Sequence, residues 1–323
     1  MIKKPVLIVG APRSGTSLLQ KIIRDHPSFW SLPSESDLIW DRHCHPRLWN
    51  WKSEHLDASD LTEQARRDIL RRFDRFSMPA GVWRAVERLD LIWTFKRKGR
   101  LRPLLRRVYD ALFPYLNPAR LLVRDKRLVE KTASNCFRLG FVNGVFPDAR
   151  IIHPVRDGRN NVNSLINGWL HPTRFFTYDL PVPLNIPGYP HQRWNFVLPP
   201  GWRDYLDRPI EEICAFQWVT CNESVLAETS MPAYDGRVLR IQIEALSADP
   251  LAGLRRLADF IEVPFDDYFR RLADDLPVVN SPDGQTDANK WRRQNANLVE
   301  RIAGRIEPTM RRLGYTDLRS SQI

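Results

Sequence analysis

Val6-Leu7-Ile8-Val9-Gly10-Ala11-Pro12-Arg13-Ser14-Gly15-Thr16-Ser17-Leu18-Leu19-Gln20-Lys21-Ile22-Ile23 is the stretch that decides the fold. The short β-branched run Val6–Val9 reads as a buried strand. Leu18, Leu19, Ile22 and Ile23 recur at helical spacing and would share one face. Between strand and helix, Gly10 and Gly15 have the G-x-x-x-x-G spacing of a phosphate-binding loop. Such a loop aims backbone N–H groups and a helix N-terminus at an anion. A triphosphate-binding loop continues with Lys-Ser/Thr, whose lysine reaches the β/γ-phosphates. Here the pair is Thr16-Ser17, and the loop's one cation is Arg13.

Further strand-like runs lie at Leu128–Glu130, Arg150–Val155 and Arg237–Ile243, with helical patterns between them. Alternating β and α units predict an α/β fold: three layers, with a central, mostly parallel sheet flanked by helices. Ligands of such sheets bind beyond the carboxyl ends of the strands. Arg13, Lys131 and Arg156 each follow a predicted strand, so they can converge from distant parts of the chain. Residues 1–323 read as one domain with two additions. Residues 36–125 form a helical insertion, with helices expected at Leu61–Phe76, Val82–Thr94 and Leu101–Leu112. Residues 170–212 are rich in proline, which forbids long helices. They also carry Phe175, Phe176, Tyr178, Tyr189, Trp194, Phe196 and Trp202, which a disordered linker would lack. This segment is expected to be an ordered loop, either a structural clamp or a wall of an acceptor site.

At 323 residues and 43% hydrophobic, the chain can bury a large core. A net charge of +11 suits an anionic ligand, a nucleic acid or a membrane surface. Basic residues concentrate in Arg66–Arg75 and Lys96–Arg107. The plain reading is solvated helix faces, and the alternative is a patch docking an acidic acceptor or anionic lipid. Neither a zinc-finger nor an RNP-type motif is present, which counts against a nucleic-acid partner. Cys44, Cys136, Cys214 and Cys221 form no C-x-x-C and are expected to be buried free thiols. No group of side chains has metal-ligand spacing. No apolar run approaches the roughly 18 residues of a spanning helix, so membrane contact would be peripheral. Lys3-Lys4 precedes an apolar run too short for a signal peptide, and Arg13 interrupts it. A cytoplasmic enzyme is the resulting expectation.

Pro12-Arg13-Ser14-Gly15-Thr16-Ser17 resembles the 5′-phosphosulfate loop of sulfotransferases, which use 3′-phosphoadenosine 5′-phosphosulfate (PAPS). A second segment, Ala149 to Arg159 and on to Ser164, resembles the family's 3′-phosphate motif. That motif places an Arg at a strand end and a Ser eight residues later, the spacing of Arg156 and Ser164. Glu130-Lys131-Thr132 resembles the family's central lysine strand end. Glu244, Leu246 and Pro250 match its Glu-x-Leu-x-x-x-Pro segment. Lys290-Trp291-Arg292 and Leu313-Gly314-Tyr315 look like its C-terminal end. Arg13, where cytosolic members have Lys, points toward the carbohydrate and tyrosyl-protein branches. Leu18 and Ile243 stand where some members have adenine-contacting aromatics.

The resemblance implies sulfuryl transfer from PAPS to an acceptor hydroxyl on a small molecule, carbohydrate or glycolipid, without a metal. It implies donor binding by Arg13, Ser14, Gly15, Thr16, Ser17, Leu18, Arg156, Ser164, Lys290 and Trp291. Arg13 and Lys131 would stabilise the leaving group, and Glu35 would take the acceptor proton. Each residue also has a plainer reading. Thr16 and Ser17 could simply cap the helix. Lys131 could be an ordinary surface lysine, and Glu35 a residue favoured at a helix start capped by Ser34. If Glu35 is not the base, His45 or His171 is next. His153, inside a strand, reads as a core histidine. Two rival functions remain beside the transferase: a P-loop kinase or NTPase, and a basic anion- or nucleic-acid-binding protein without catalysis.

Overall fold

The computed structural model describes residues 2–32, 35–77, 122–173, 175–277 and 289–315. The helices expected at Val82–Thr94 and Leu101–Leu112, and the basic run Lys96–Arg107, lie outside the described residues. The main sheet contains β1 (Val6–Ile8), β2 (Phe29–Trp30), β3 (Arg127–Lys131), β4 (Arg150–Val155) and β7 (Val238–Gln242). Their order is β2-β3-β1-β4-β7, and every pairing is parallel. A two-stranded antiparallel ribbon joins β5 (Phe176–Tyr178) to β6 (Trp194–Asn195). The helices are α1 (Thr16–Arg24), α2 (Asp37–Cys44), α3 (Glu63–Arg75), α4 (Leu139–Val145) and α5 (Gly158–Trp169). They continue with α6 (Ile210–Thr229), α7 (Ile243–Ala248), α8 (Pro250–Phe260), α9 (Asp267–Asp274), α10 (Lys290–Gln294) and α11 (Ala296–Arg312).

Strand β1 shows why the sheet is a middle layer. Val6, Leu7, Ile8 and Val9 are all 0% exposed, as expected of a parallel strand covered on both faces. Alternate side chains enter different cores. Val6 and Ile8 join Leu19, Ile22 and Ile23 of α1, Leu254 and Leu257 of α8, and Phe269 of α9. Leu7 and Val9 join Val162 and Leu165 of α5, Trp218 of α6, and Ile302 and Ile306 of α11. Each fully buried Leu or Ile on these faces contributes about 1.5–3 kcal/mol. Gly158, at the start of α5, allows α6 to come close, since a Cβ there would lie 2.9 Å from the Trp218 ring.

Strand β1 ends one residue earlier than expected, although Val9 N still donates to Ile152 O at 2.9 Å. Helix α3 falls within the expected Leu61–Phe76. The two-residue edge strand β2 was not legible from periodicity. In the proline-rich segment, Trp194 and Trp202 are fully buried. The Trp194 indole N–H donates to Val197 O at 2.7 Å, and that of Trp202 donates to the carbonyls of Trp51 and Lys52, both at 3.0 Å. Trp202 therefore ties this segment to the first insertion, Trp194 packs within the segment, and neither ring offers a stacking surface. All four cysteines are free and buried. His153 is fully buried against Asn222, and burial together with nearby Arg240 pushes its pKa down to about 3. No helix among the described residues is long and apolar enough to cross a membrane.

Candidate active site

The carboxyl ends of β1, β3 and β4 meet on one side of the sheet. Ile8 pairs with Lys131 on one flank and with Ile152 on the other, so the loop after β1 lies between the ends of its two neighbours. Its glycines are sterically required. A Cβ on Gly10 would lie 2.9 Å from Pro154 O. Gly15 has φ +92°, and a Cβ there would lie 2.6 Å from two atoms of Ile243. Arg13 adopts φ +70°, a left-handed conformation that costs an ordinary residue about 1–2 kcal/mol. Strain of this kind collects at ligand-binding turns.

The loop leads into α1, whose N-cap is Gly15 and which no side chain caps. Thr16 and Ser17 lie inside the helix and not at its N-cap, and Leu18 N is taken by Gly15 O at 3.0 Å, so the first-turn donors left for a ligand are the N–H groups of Thr16 and Ser17. Ser14 is 1% exposed, and its Oγ has no hydrogen-bond partner among the described residues. A buried hydroxyl of this sort suits an anion with acceptor oxygens. Thr16 is buried, Ser17 is half-buried, and Leu18 packs at the edge of the core.

Two guanidinium groups converge on the loop. Arg156 Nη1 donates to Arg13 O at 3.3 Å, and Arg13 Nε donates to Ser164 Oγ at 3.1 Å. Burial lowers the pKa of both arginines, and the Arg156 charge lowers that of Arg13 further. Glu244 and Asp157 partly offset the cost at Arg156. Glu244 also accepts from Asp157 N at 3.0 Å and from the Tyr315 hydroxyl at 2.8 Å, tying the chain's last described residue to the site. Two like charges held together away from water favour an anionic partner.

On the other flank, Lys131 is 8% exposed, so it is not an ordinary surface lysine, and its Nζ lies 2.6 Å from Glu35 Oε1. Glu35 is placed by its neighbour: Ser36 N donates to Thr132 Oγ1 at 2.9 Å. The Thr132 hydroxyl in turn donates to Glu130, which also accepts from Trp40 Nε1 and Asn135 Nδ2. Burial raises the pKa of this Glu130 carboxyl. Helix α2 begins at Asp37 with Ser36 as N-cap, so Glu35 precedes the helix and is not in its first turn. Ser34 lies outside the described residues.

The two histidine alternatives have unsuitable tautomers. His45 Nδ1 accepts from Arg47 N at 3.1 Å, and His171 Nδ1 accepts from Thr173 N at 3.2 Å. A neutral ring bonded this way carries its proton on Nε2, which is then a donor and not a base. His171 also packs edge-on against Phe175, whose ring lies 5.4 Å from the Arg13 guanidinium carbon. Trp291 is 5% exposed and packs under Arg159 and Arg292, so its ring belongs to the core. Lys290, beside it, is half-buried.

Sequence reasoning missed Asn161, whose fully buried side chain reaches the loop backbone. It also missed the buried Glu54 of the first addition, which accepts from Ser134, Tyr178 and Leu198 N and so joins the turn after β3 to the second addition. The available signal was the run Asn160, Asn161, Asn163 inside a helix. Asn is a poor helix former, so three of them imply tertiary partners.

A model described as the sulfotransferase family matches residues 5–180. Among curated proteins none matches the sequence. Among solved structures, the sulfotransferase domain from the curacin biosynthetic pathway aligns at 13% identity with a TM-score of 0.50. That alignment covers 98% of this chain and 99% of that one. A sulfotransferase from Alicyclobacillus acidocaldarius aligns at 17% identity with a TM-score of 0.48, covering 97% and 95%. At 13% identity the first of these likenesses speaks for the fold alone.

Proposed function

Given that this chain belongs to the sulfotransferase family, we propose that it moves the sulfuryl group of PAPS to an acceptor hydroxyl on a carbohydrate or glycolipid. One observation carries the reading. A half-buried arginine pair at a helix N-terminus capped by no side chain of its N-cap residue lies at the same edge of the sheet as a Lys131–Glu35 pair. The first half suits the anionic donor, and the second suits proton removal next to a developing negative charge.

PAPS supplies an activated sulfuryl group on a phosphate leaving group. The loop N–H groups, Ser14 Oγ and Arg13 would hold the 5′-phosphosulfate. Arg156 and Ser164 would hold the 3′-phosphate. Ser164 can do so without releasing Arg13, because a hydroxyl that accepts one bond still donates its own proton. Glu35 would take the acceptor proton, and Lys131 and Arg13 would stabilise the charge left on the bridging oxygen. The half-buried Phe175 stacks on Phe196 at 5.1 Å beside Arg13. This gives an apolar surface suited to the face of a sugar ring or to a lipid chain. The conditions follow from the default expectation of a cytoplasmic enzyme that works without a metal.

The test is transfer of label from sulfur-labelled PAPS to a panel of sugars and glycolipids in the presence of chelator, with Mg-ATP as a control. Label should reach an acceptor, and ATP should not be turned over. The desulfated product, PAP, should bind about 10–150-fold more tightly than the analogue lacking the 3′-phosphate, the worth of a charge-assisted hydrogen bond. Equal affinity would remove Arg156 and Ser164 from their assigned role. Steep salt-dependent RNA binding without PAP binding would favour the nucleic-acid reading.

A further inference from the structure

We propose that Asn161 is a positioning residue that holds the anion loop, and Arg13 within it, in binding geometry. The inference rests on the reading that this loop holds the donor's phosphosulfate.

Asn161 is the fourth residue of α5 and is fully buried. In the amide orientation that matches donors to acceptors, its Nδ2 donates to Pro12 O at 3.0 Å and its Oδ1 accepts from Ser14 N at 3.3 Å. The opposite orientation would set oxygen against carbonyl and N–H against N–H. The two partners flank Arg13, the loop residue with positive φ. One primary amide thus bridges the residue before Arg13 and the residue after it, like a rung of backbone pairing. Asn160 and Asn163 face elsewhere, toward Trp291 N and toward Gln294 and Asn295.

Two consequences follow. Ser14 N is turned inward, since it also lies 3.3 Å from Ala11 O. Ser14 N is thereby removed from the loop N–H groups that would face the anion beside Ser14 Oγ and the first turn of α1. In addition, three groups from residues 156–164 hold Arg13. Arg156 grips its carbonyl, Asn161 the flanking backbone and Ser164 its guanidinium. Asn161 and Ser164 are three apart and share a helix face. The same stretch of chain that would bind the 3′-phosphate therefore sets the geometry of the 5′-phosphosulfate loop.

A neutral amide is the fitting group. A carboxylate would set an oxygen against Pro12 O and a negative charge beside the anion. A protonated carboxyl would restore one donor and one acceptor in the same shape. The test therefore uses N161L and N161D. PAP affinity, single-turnover rate and melting temperature are each measured against wild type from about pH 5.5 to pH 8.5, a range that spans a buried carboxyl's raised titration. N161L should weaken PAP and slow turnover by roughly 10–100-fold, the cost of a small misplacement. N161D should be as impaired at the alkaline end and recover toward wild type as pH falls. Wild-type affinity in N161L, or an N161D-to-wild-type ratio that does not change with pH, would overturn the proposal. So would recovery of N161D melting temperature without recovery of PAP affinity, which would mark a purely structural role. Failure of the wild type to bind PAP would overturn the donor reading, and this inference with it.

Discussion

Ser14→Ala should make the ligand-free protein more stable and the ligand-bound protein weaker. The Ser14 hydroxyl is 1% exposed and has no hydrogen-bond partner among the described residues. Leaving such a group buried and unsatisfied costs about 1–3 kcal/mol. Alanine removes the oxygen and leaves a gap smaller than a methyl group, which offsets less than about 1 kcal/mol of the gain. The net expectation is about 1–2 kcal/mol of added stability, or a melting temperature about 1.5–3 °C higher for a chain of this size. With PAP the sign reverses. A hydroxyl bonded to a phosphate oxygen is worth about 1.5–3 kcal/mol, so affinity should fall about 10–150-fold. The PAP-induced rise in melting temperature should shrink accordingly. Scanning calorimetry with and without PAP, together with titration calorimetry, reads both effects on one variant. A ligand-free variant less stable than wild type would mean that the hydroxyl already has a partner in water. Unchanged PAP affinity would mean that it does not face the anion. Either result refutes the reasoning.

Glu35→Gln keeps an oxygen for Lys131 but removes the base. Turnover should fall about 10²–10⁴-fold in single-turnover assays, with PAP affinity and melting temperature close to wild type. Full activity would mean that the base lies elsewhere. Gly15→Ala should destabilise by about 2–5 kcal/mol, combining backbone strain at φ +92° with the clash against Ile243. In urea melts, Ile243→Ala should recover the clash but not the strain, and complete recovery would contradict the conformational part. His153 has a pKa pushed down to about 3 in the fold, against 6.5 when unfolded. Between those values the unfolded chain binds the proton and the native state does not. Stability present above pH 6.5 is therefore lost as pH falls toward 3, by about 2–5 kcal/mol at most. His153→Gln, which keeps a donor for Asn222, should flatten this acid limb of the urea midpoint. An unchanged slope would assign the limb to other groups.

Local pattern by itself determined the parallel α/β class, because its signals are short-range. β1 is a continuous apolar run, β3 and β4 carry short apolar cores at Leu128-Val129 and Ile151-Ile152, β7 alternates Leu239 and Ile241 with polar residues, and α1 has a helical stripe. The two glycines of the loop and the spacing of Arg156 and Ser164 are likewise local, and they placed the donor-binding candidates along the chain. Tertiary structure decided what each candidate touches. Glu35 meets Lys131 only because β2 pairs beside β3 and Thr132 captures Ser36, a contact across 96 residues. Strand β2 is two residues long and carries no periodicity to read. Trp194 and Trp202 have the composition of a stacking surface, yet their burial assigns them to packing, because an aromatic ring serves a core and a ligand equally well until its exposure is known. Asn161 was hidden for the opposite reason. A buried amide takes its meaning from its partners, and those partners lie on a loop about 150 residues earlier in the chain, brought within reach by the packing of α5 against β1.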